Sequence, residues 1–401
     1  MRVMINLIEN VYQIMKDRIK DTIQDCNINF LIGSGLSSPY LKPLGNIEIL
    51  LTKLEDQEIS DIEKKVIRAS LYKKFFEDAI FKNSKILEPD TDVEAVLKHY
   101  HNFLKSVNSI LLRRKSTILS KEVNLFTTNF DIFLEKALED TALEFNDGFN
   151  GRFLPQFNLT NFKKSRFKKS LHYDNISEIP VFNLLKLHGS LSWELIDRSG
   201  NYEIVFSCDL KHLTAIQGKL PAAAHLIDVQ ADSTIETLIA AAAGKTLDPS
   251  VQVFMEAYEK LPIVNPNKDK FRHTLLNQTY YEMLRIYSNE LEKENTILFV
   301  MGFSFADEHI REITLRAANS NPTMMIYIFA YSSKGRAEIQ ARFDSKNIKN
   351  NNVLVIGPEI KDDGGDKFKY DLETINSQIF DCLLDKEDSK ETPPDAPNAS
   401  A

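Results

Sequence analysis

Apolar positions along the chain alternate between two periods. Val3, Leu7, Val11, Ile14, Ile19 and Ile23 recur at helical spacing, so residues 3–24 read as an amphipathic helix. Asn27-Ile28-Asn29-Phe30-Leu31-Ile32 follows, a short run with large or branched side chains that Gly33 stops, and this predicts a buried strand. Comparable runs recur at 123–127, 181–187, 296–301, 324–330 and 353–356. Helical patterns over 131–138 and 307–318 follow two of them. Strands alternating with helices predict an α/β fold with a largely parallel sheet. Residues 46–120 and 215–290 are mostly helical and too long for simple crossovers, so they are expected to form an inserted helical lobe. Residues 144–180, with Gly148, Gly151, Pro155 and many Asn and Phe, read as irregular. Residues 193–206 read as a hairpin turning at Arg198-Ser199-Gly200-Asn201. The Ala-rich stretch 221–244 reads as an amphipathic surface helix. Residues 1–384 are expected to form one domain, and the polar segment 385–401, with Pro393-Pro394, a disordered tail.

Composition narrows the class. With 43% apolar and 26% charged residues the chain can bury a sizeable core, as ordinary globular proteins do. A net charge of −8 argues against a broad nucleic-acid surface, and direct nucleic-acid binding is not expected. Lys163-Lys164-Ser165-Arg166-Phe167-Lys168-Lys169 is a local basic exception, read as a solvated loop or as a contact to phosphates or an acidic partner. Cys26, Cys208 and Cys382 lie far apart with no CxxC pair, so neither a zinc site nor a disulfide framework is expected. Reducing cytoplasm is the expected compartment. No apolar run reaches membrane-spanning length, and residues 1–25 lack the pattern of a signal peptide.

Four short motifs carry the candidate chemistry, each directly after an apolar run: Gly33-Ser34-Gly35-Leu36-Ser37, Thr127-Thr128-Asn129-Phe130-Asp131, Lys186-Leu187-His188-Gly189-Ser190 and Gly302-Phe303-Ser304-Phe305-Ala306-Asp307. Strand, then small or polar residues, then helix is how open α/β sheets build nucleotide sites. Gly33 and Gly35 would let backbone approach a pyrophosphate, with donors from the next helix N-terminus and hydroxyls from Ser34 and Ser37. The alternative is an ordinary tight turn; Ser38 occupies the place of the third glycine of the dinucleotide fingerprint. Thr128, Asn129 and Asp131 would stand at the carboxyl edge of the sheet, either toward a ligand or as helix caps. His188 would be a base near pH 7, or a buried histidine bonded to backbone. Asp307 would face a ligand or cap its helix. Ala243-Gly244-Lys245-Thr246 imitates the end of a phosphate-binding loop, but the stretch before it reads as helix rather than strand, so it is set aside.

In order, the four motifs resemble the Rossmann-like sirtuin fold, in particular the bacterial sirtuin-like proteins of antiviral defence. The glycine loop looks like that family's phosphate loop. Thr127 to Asp131 is similar to its ribose and nicotinamide-side motif, Lys186 to Gly189 to the segment holding its catalytic histidine, and Gly302 to Asp307 to an element on the adenosine side. The resemblance spans about residues 27–332. Two features of deacetylase sirtuins are missing: the cysteine pairs for zinc, and a Pro-Asp-Phe-Arg segment, in whose place stands Pro39-Tyr40-Leu41-Lys42-Pro43-Leu44-Gly45. The resemblance therefore implies an NAD+ glycohydrolase without zinc. His188 would be the general base, and Asn129 would position the ribose or water with Asp131 in support. Gly33, Ser34, Gly35, Ser37, Thr128, Gly302, Ser304 and Asp307 would bind NAD. It also implies a HerA-type hexameric ATPase as partner. A homo-oligomer is expected, because free NAD cleavage needs a gate. Two further readings stand beside it: a non-catalytic NAD or ADP-ribose sensor or scaffold, and a protein ADP-ribosyltransferase or deacylase.

Overall fold

The computed structural model describes residues 16–41, 46–114, 118–162, 164–199, 201–264, 274–343, 348–361 and 364–384. The first part of the helix expected at 3–24 and the tail expected from 385 lie outside these residues. Residues 16–23 (α1) are helical and lead into β1, Asn27–Ile32. A helical stretch follows: α2 (Ile47–Glu55), α3 (Asp61–Phe75), a π-helical turn at Phe76–Ile80, a 3-10 segment at Phe81–Leu87 and α4 (Thr91–Arg113). Ser60 and Glu63 form a capping box at the start of α3, and Asp90 caps α4. Strand β2 (Glu122–Thr127) and helix α5 (Phe133–Asp140) come next.

The region expected to be irregular contains structure. β3 (Phe145–Asn146), β4 (Phe149–Asn150) and β5 (Gln156–Phe157) are two-residue strands, and β6 (Arg166–Lys169) pairs with β7 (Ile176–Ile179) as a separate hairpin. Two-residue strands leave no periodicity to read; a cluster of Phe149, Phe157 and Trp193, with Phe157 and Trp193 4.9 Å apart, holds them. Within the basic stretch, Arg166–Lys169 form the exposed strand β6, where Arg166 pairs with Glu144 and Lys169 with Asp174; Lys163 lies outside the described residues.

Strand β8 (Val181–Lys186) precedes the expected hairpin, β9 (Trp193–Arg198) and β10 (Asn201–Phe206). A second helical stretch holds α6 (Lys211–Gln217), α7 (Ile235–Ala242), α8 (Pro249–Tyr258) and α9 (Thr274–Leu291). The Ala-rich stretch is not one helix: a 3-10 turn at Ala223–His225 and α7 are separate, because polar residues at 228–234 interrupt it. No strand enters Gly244-Lys245-Thr246. Gly244 takes a left-handed conformation just past α7, and the Lys245 ammonium is spent on the carbonyls of Ala224 and Leu226. The chain closes with β11 (Thr296–Met301), α10 (Glu308–Ser320), β12 (Met325–Phe329), α11 (Ser333–Arg342), β13 (Val353–Ile356), α12 (Leu372–Ile375) and α13 (Asp381–Leu384).

Seven strands form one parallel sheet in the order β13-β12-β11-β1-β2-β8-β3. Every residue of β8 and β11 is buried, as expected where helices cover both faces of a parallel sheet. On one face the Phe30 ring lies 5.0 Å from Phe103 of α4. On the other, Phe126 lies 4.9 Å from Tyr287 of α9, beside Leu31, Leu185, Leu298 and Val300. The two helical stretches pack on each other, with Tyr72 and Tyr258 stacked at 4.4 Å.

A row of amides, buried at Asn29 and Asn183 and half-buried at Asn124, fixes the register. Asn29, Asn124 and Asn183 are direct neighbours across β1, β2 and β8. The Asn124 amide donates to Asn29 Oδ1 at 2.8 Å, and its own Oδ1 accepts from Asn183 at 3.1 Å. Asn124→Ala would orphan two buried partners at about 1–3 kcal/mol each. It should therefore lower the unfolding free energy by about 2–4 kcal/mol in urea with an unchanged m-value. A loss below about 0.5 kcal/mol, the size of an ordinary surface change, would show that the ladder carries no weight.

Candidate active site at the carboxyl edge of the sheet

In-register parallel pairing puts Ile32, Thr127, Lys186 and Met301 at one level, so all four motifs leave the sheet side by side. From β1 the chain builds β2 and β8 to one side, while β11 continues through β12 and β13 to the other. The crevice between β1 and β11 is thus a topological switch point, where open α/β sheets bind ligands.

The glycines have a structural task here. The Gly33 and Gly35 amides donate to the carbonyls of Met301 and Gly302, at 2.9 and 3.0 Å. A Cβ on Gly33 would lie 2.4 Å from the Gly302 carbonyl oxygen, and one on Gly302, whose φ is +64, would lie 2.8 Å from the Leu36 amide. The first and fourth loops therefore touch backbone to backbone. The amides of Gly33 and Gly35 are occupied by this contact, and that of Leu36 donates to the Gly33 carbonyl. The helix expected next is a single 3-10 turn, Ser34–Ser37. Pro39 is the reason: it cannot continue a helix and forces Ser38 into extended backbone. The loop's exposed part is Ser34 and Gly35.

The Ser37 hydroxyl, 1% exposed, turns inward instead. It donates to Asp131 Oδ2 at 2.8 Å and lies 3.2 Å from the Tyr100 hydroxyl and 3.5 Å from the Asn129 amide nitrogen. Burial holds the Tyr100 phenol well above its usual range, so it serves as a donor. Burial likewise raises the Asp131 carboxyl, opposed by Lys186 and the Ser37 hydrogen bond. Thr127 supports the loop by donating to the Ile32 carbonyl and accepting the Asn129 amide. The Thr128 amide donates to the same Ile32 carbonyl. Asn129 is 5% exposed, and its Oδ1 has no hydrogen-bond partner among the described residues. A buried acceptor left open costs about 1–3 kcal/mol. Asn129 Oδ1 is one of eleven buried side-chain polar atoms without a partner among the described residues, and it lies at the carboxyl edge of the sheet.

Lys186 straps this loop to β8. Its buried ammonium donates to the carbonyls of Asn129 and Asp131 and lies 2.9 Å from Glu135 Oε2. Glu135 Oε1 in turn accepts from Ser190 at 2.7 Å. Tyr100, Lys186 and Glu135 were not singled out from sequence. A lysine inside a buried, mainly apolar strand is the one available signal; Tyr100, on a helix far from every motif, offers none.

His188 follows β8 on a braced backbone. Its carbonyl accepts from Val264 at 2.8 Å, and Gly189, with φ +79, has no room for a Cβ beside the Pro262 carbonyl oxygen, 2.0 Å away. The ring reaches across the edge, Nε2 lying 3.3 Å from Asp307 Oδ2. Asp307 also caps α10, its Oδ1 accepting from the Ile310 amide at 3.2 Å. The sites read from sequence thus fall into three groups: Ser37 with Asn129 and Asp131, His188 with Asp307, and the three packed glycines. Ser34 and Ser304 are exposed beside them.

Among the described residues, no cluster of three or more His, Cys, Asp or Glu could hold a metal ion, and no helix is long and apolar enough to cross a membrane. No protein-family model matches the chain, and no curated protein matches it either.

Two consequences follow for stability. Lys186→Met leaves Glu135 as an uncompensated buried charge, so it should cost about 3–5 kcal/mol in denaturant unfolding, against under about 1 kcal/mol for an exposed ion pair. Asp147, at the turn between β3 and β4, is pushed up to about 6, chiefly by burial. Its folded value lies above its unfolded one, so the folded state binds the extra proton and stability is lost as pH rises from about 4 to 6. Asp147→Asn should therefore be more stable than wild type at pH 7, by about 1–3 kcal/mol, with the gain gone below about pH 4. A pH-independent difference would refute the origin in the carboxyl.

Proposed function

We propose that this chain is an NAD+ glycohydrolase of the sirtuin-like defence type, converting NAD+ to nicotinamide and ADP-ribose. The observation that carries the reading is the pairing of an open buried acceptor, Asn129 Oδ1, with a carboxylate-paired imidazole, His188, on neighbouring strand ends beside the switch-point crevice. Under this reading NAD lies across the carboxyl edge with its nicotinamide ribose toward Asn129. Asn129 orients the ribose or the attacking water. The Ser37–Asp131–Tyr100 network holds Asn129 in place. His188 takes the proton released as water adds to the anomeric carbon. Nicotinamide departs with its pyridinium charge neutralised, so its departure requires no proton. The exposed Ser34 and Ser304, in the loops that follow β1 and β11, would serve the pyrophosphate and adenosine side.

An unregulated glycohydrolase would exhaust the cell's NAD. We therefore assign a gate to the helical stretches, acting through a homo-oligomer or a HerA-type ATPase partner in the cytoplasm. No zinc takes part.

Incubating the purified chain with NAD+, alone and with lysate of phage-infected cells, should release nicotinamide and ADP-ribose in equal amounts. General-base help contributes roughly a hundred- to ten-thousandfold, so His188→Ala should lose that much rate while remaining folded by circular dichroism. Asn129→Ala should lose comparable activity. ADP-ribose binding without nicotinamide release under every condition would establish the sensor or scaffold reading instead.

A further inference from the structure

The resemblance assigns Asp307 to the adenosine side of the nucleotide, yet its carboxylate faces His188. We propose that Asp307 is the positioning residue of His188: Oδ2 accepts the Nε2–H of the imidazole, fixes that tautomer, and thereby makes Nδ1 the proton acceptor. A neutral imidazole carries one N–H and one lone pair, so a carboxylate at one nitrogen determines where the lone pair stands.

Both side chains are held on braced backbone. The Asp307 side chain is 12% exposed; its Oδ1 accepts from the Ile310 amide at 3.2 Å, and its Oδ2 stands at ion-pair distance, 3.3 Å, from His188 Nε2. The cap fixes the plane of the carboxylate, and the second oxygen is then aimed by the first. The segment before it is held under strain. Phe305 has φ +58, a left-handed conformation that costs a non-glycine residue about 1–2 kcal/mol. Its fully buried ring offsets this, lying 4.6 Å from Phe343 and 5.0 Å from Phe303. Arg311 donates to the Phe305 carbonyl at 3.1 Å, and Arg342 to that of Ser304. Opposite, the Leu187 amide donates to Thr127 at 2.8 Å, and the His188 carbonyl is held by Val264. A strained, doubly clamped loop that delivers one carboxylate oxygen to one ring nitrogen is more than a helix cap requires.

The chemistry balances. The bond from the anomeric carbon to the nicotinamide nitrogen breaks and its electron pair stays with nicotinamide. Water forms the new C–O bond and gives a proton to Nδ1, which later releases it to solvent. Asp307 stabilises the imidazolium and does not change its own protonation.

This kinetic role rests on the glycohydrolase reading; the tautomer does not, and the test separates the two. Long-range proton–nitrogen spectra of histidine-labelled protein, at a pH where the ring is neutral, should show His188 as the Nε2–H tautomer, with His188→Gln giving the assignment. Asp307→Asn keeps the cap, since asparagine caps as well as aspartate, and should shift the ring toward a mixture of tautomers. The same variant should lower turnover roughly ten- to a thousandfold, part of what a general base supplies. Its affinity for ADP-ribose should stay within about twofold, below any resolvable interaction energy. In a His188→Ala background it should lower turnover no further, because the two residues act as a unit. An Nδ1–H tautomer in the wild type would overturn the proposal whatever the activity. An equal loss in both backgrounds, or a loss of ADP-ribose affinity with the tautomer unchanged, would also overturn it and return Asp307 to ligand binding. An Asp307-dependent Nε2–H tautomer in a protein that cleaves no NAD would leave the pair standing and remove the glycohydrolase reading.

Discussion

Parallel register is the constraint on which the site depends. Ile32, Thr127, Lys186 and Met301 end their strands together, and everything with candidate chemistry lies within a few residues of that line. Side chains alternate between faces, so a slip of one residue in β2 would send Thr127 and Phe126 to opposite sides and break the Asn129 loop. Hydrophobic burial resists such a slip only weakly, because β8 and β11 are buried on both faces. The amide row of Asn29, Asn124 and Asn183 resists it strongly, since amides one position out of step would all lose their partners. A polar device inside the sheet thus fixes the geometry at its edge.

Several local rules are broken where the strands end. Gly33 and Gly302 press two loops together without side chains, Phe305 adopts a backbone suited to glycine, Lys186 carries a charge into the interior, and Asn129 leaves an acceptor open. Each is unfavourable by itself. Strain of this kind at an edge that also carries polar side chains is what a site built at the expense of folding requires. For three of the four the compensation is visible: backbone hydrogen bonds for the glycines, aromatic burial for Phe305, and Glu135 with two carbonyls for Lys186.

What could be read from sequence was what leaves a local trace. Buried strands declare themselves by short apolar runs, and the order of the runs implies a parallel sheet, so the motifs at 33, 127, 188 and 302 could be placed on one edge. The helix after Gly35 was misread although Pro39 was in plain view, because the strand–glycine–helix pattern outweighed one proline. The two-residue strands of 145–157 are too short to have a period at all. Partnerships across the fold were out of reach: Ser37 meets Asp131 across 94 positions, and His188 meets Asp307 only because β8 and β11 flank β1 and β2 in space. Of the two readings open for Asp307, a ligand contact or a helix cap, the cap is present, but a second oxygen has no sequence signature.

Helix α4 connects the helical stretches to this edge. On one side it lays Phe103 against Phe30 of the central strand. A turn earlier it sends Tyr100 to Ser37, with its ring stacked on Phe133 of α5 at 5.8 Å. Ser37 has one proton to donate and gives it to Asp131, so it accepts from Tyr100, and the three groups are satisfied only together. Displacing α4 against the sheet must then either withdraw the Tyr100 hydroxyl or drag Ser37 with it, and either change reaches Asn129 through the same oxygen. Packed interiors shift between discrete arrangements rather than deforming smoothly. A partner or second copy acting on the helical stretches would thus need to move α4 by no more than the length of one hydrogen bond to uncouple Asn129 from its support.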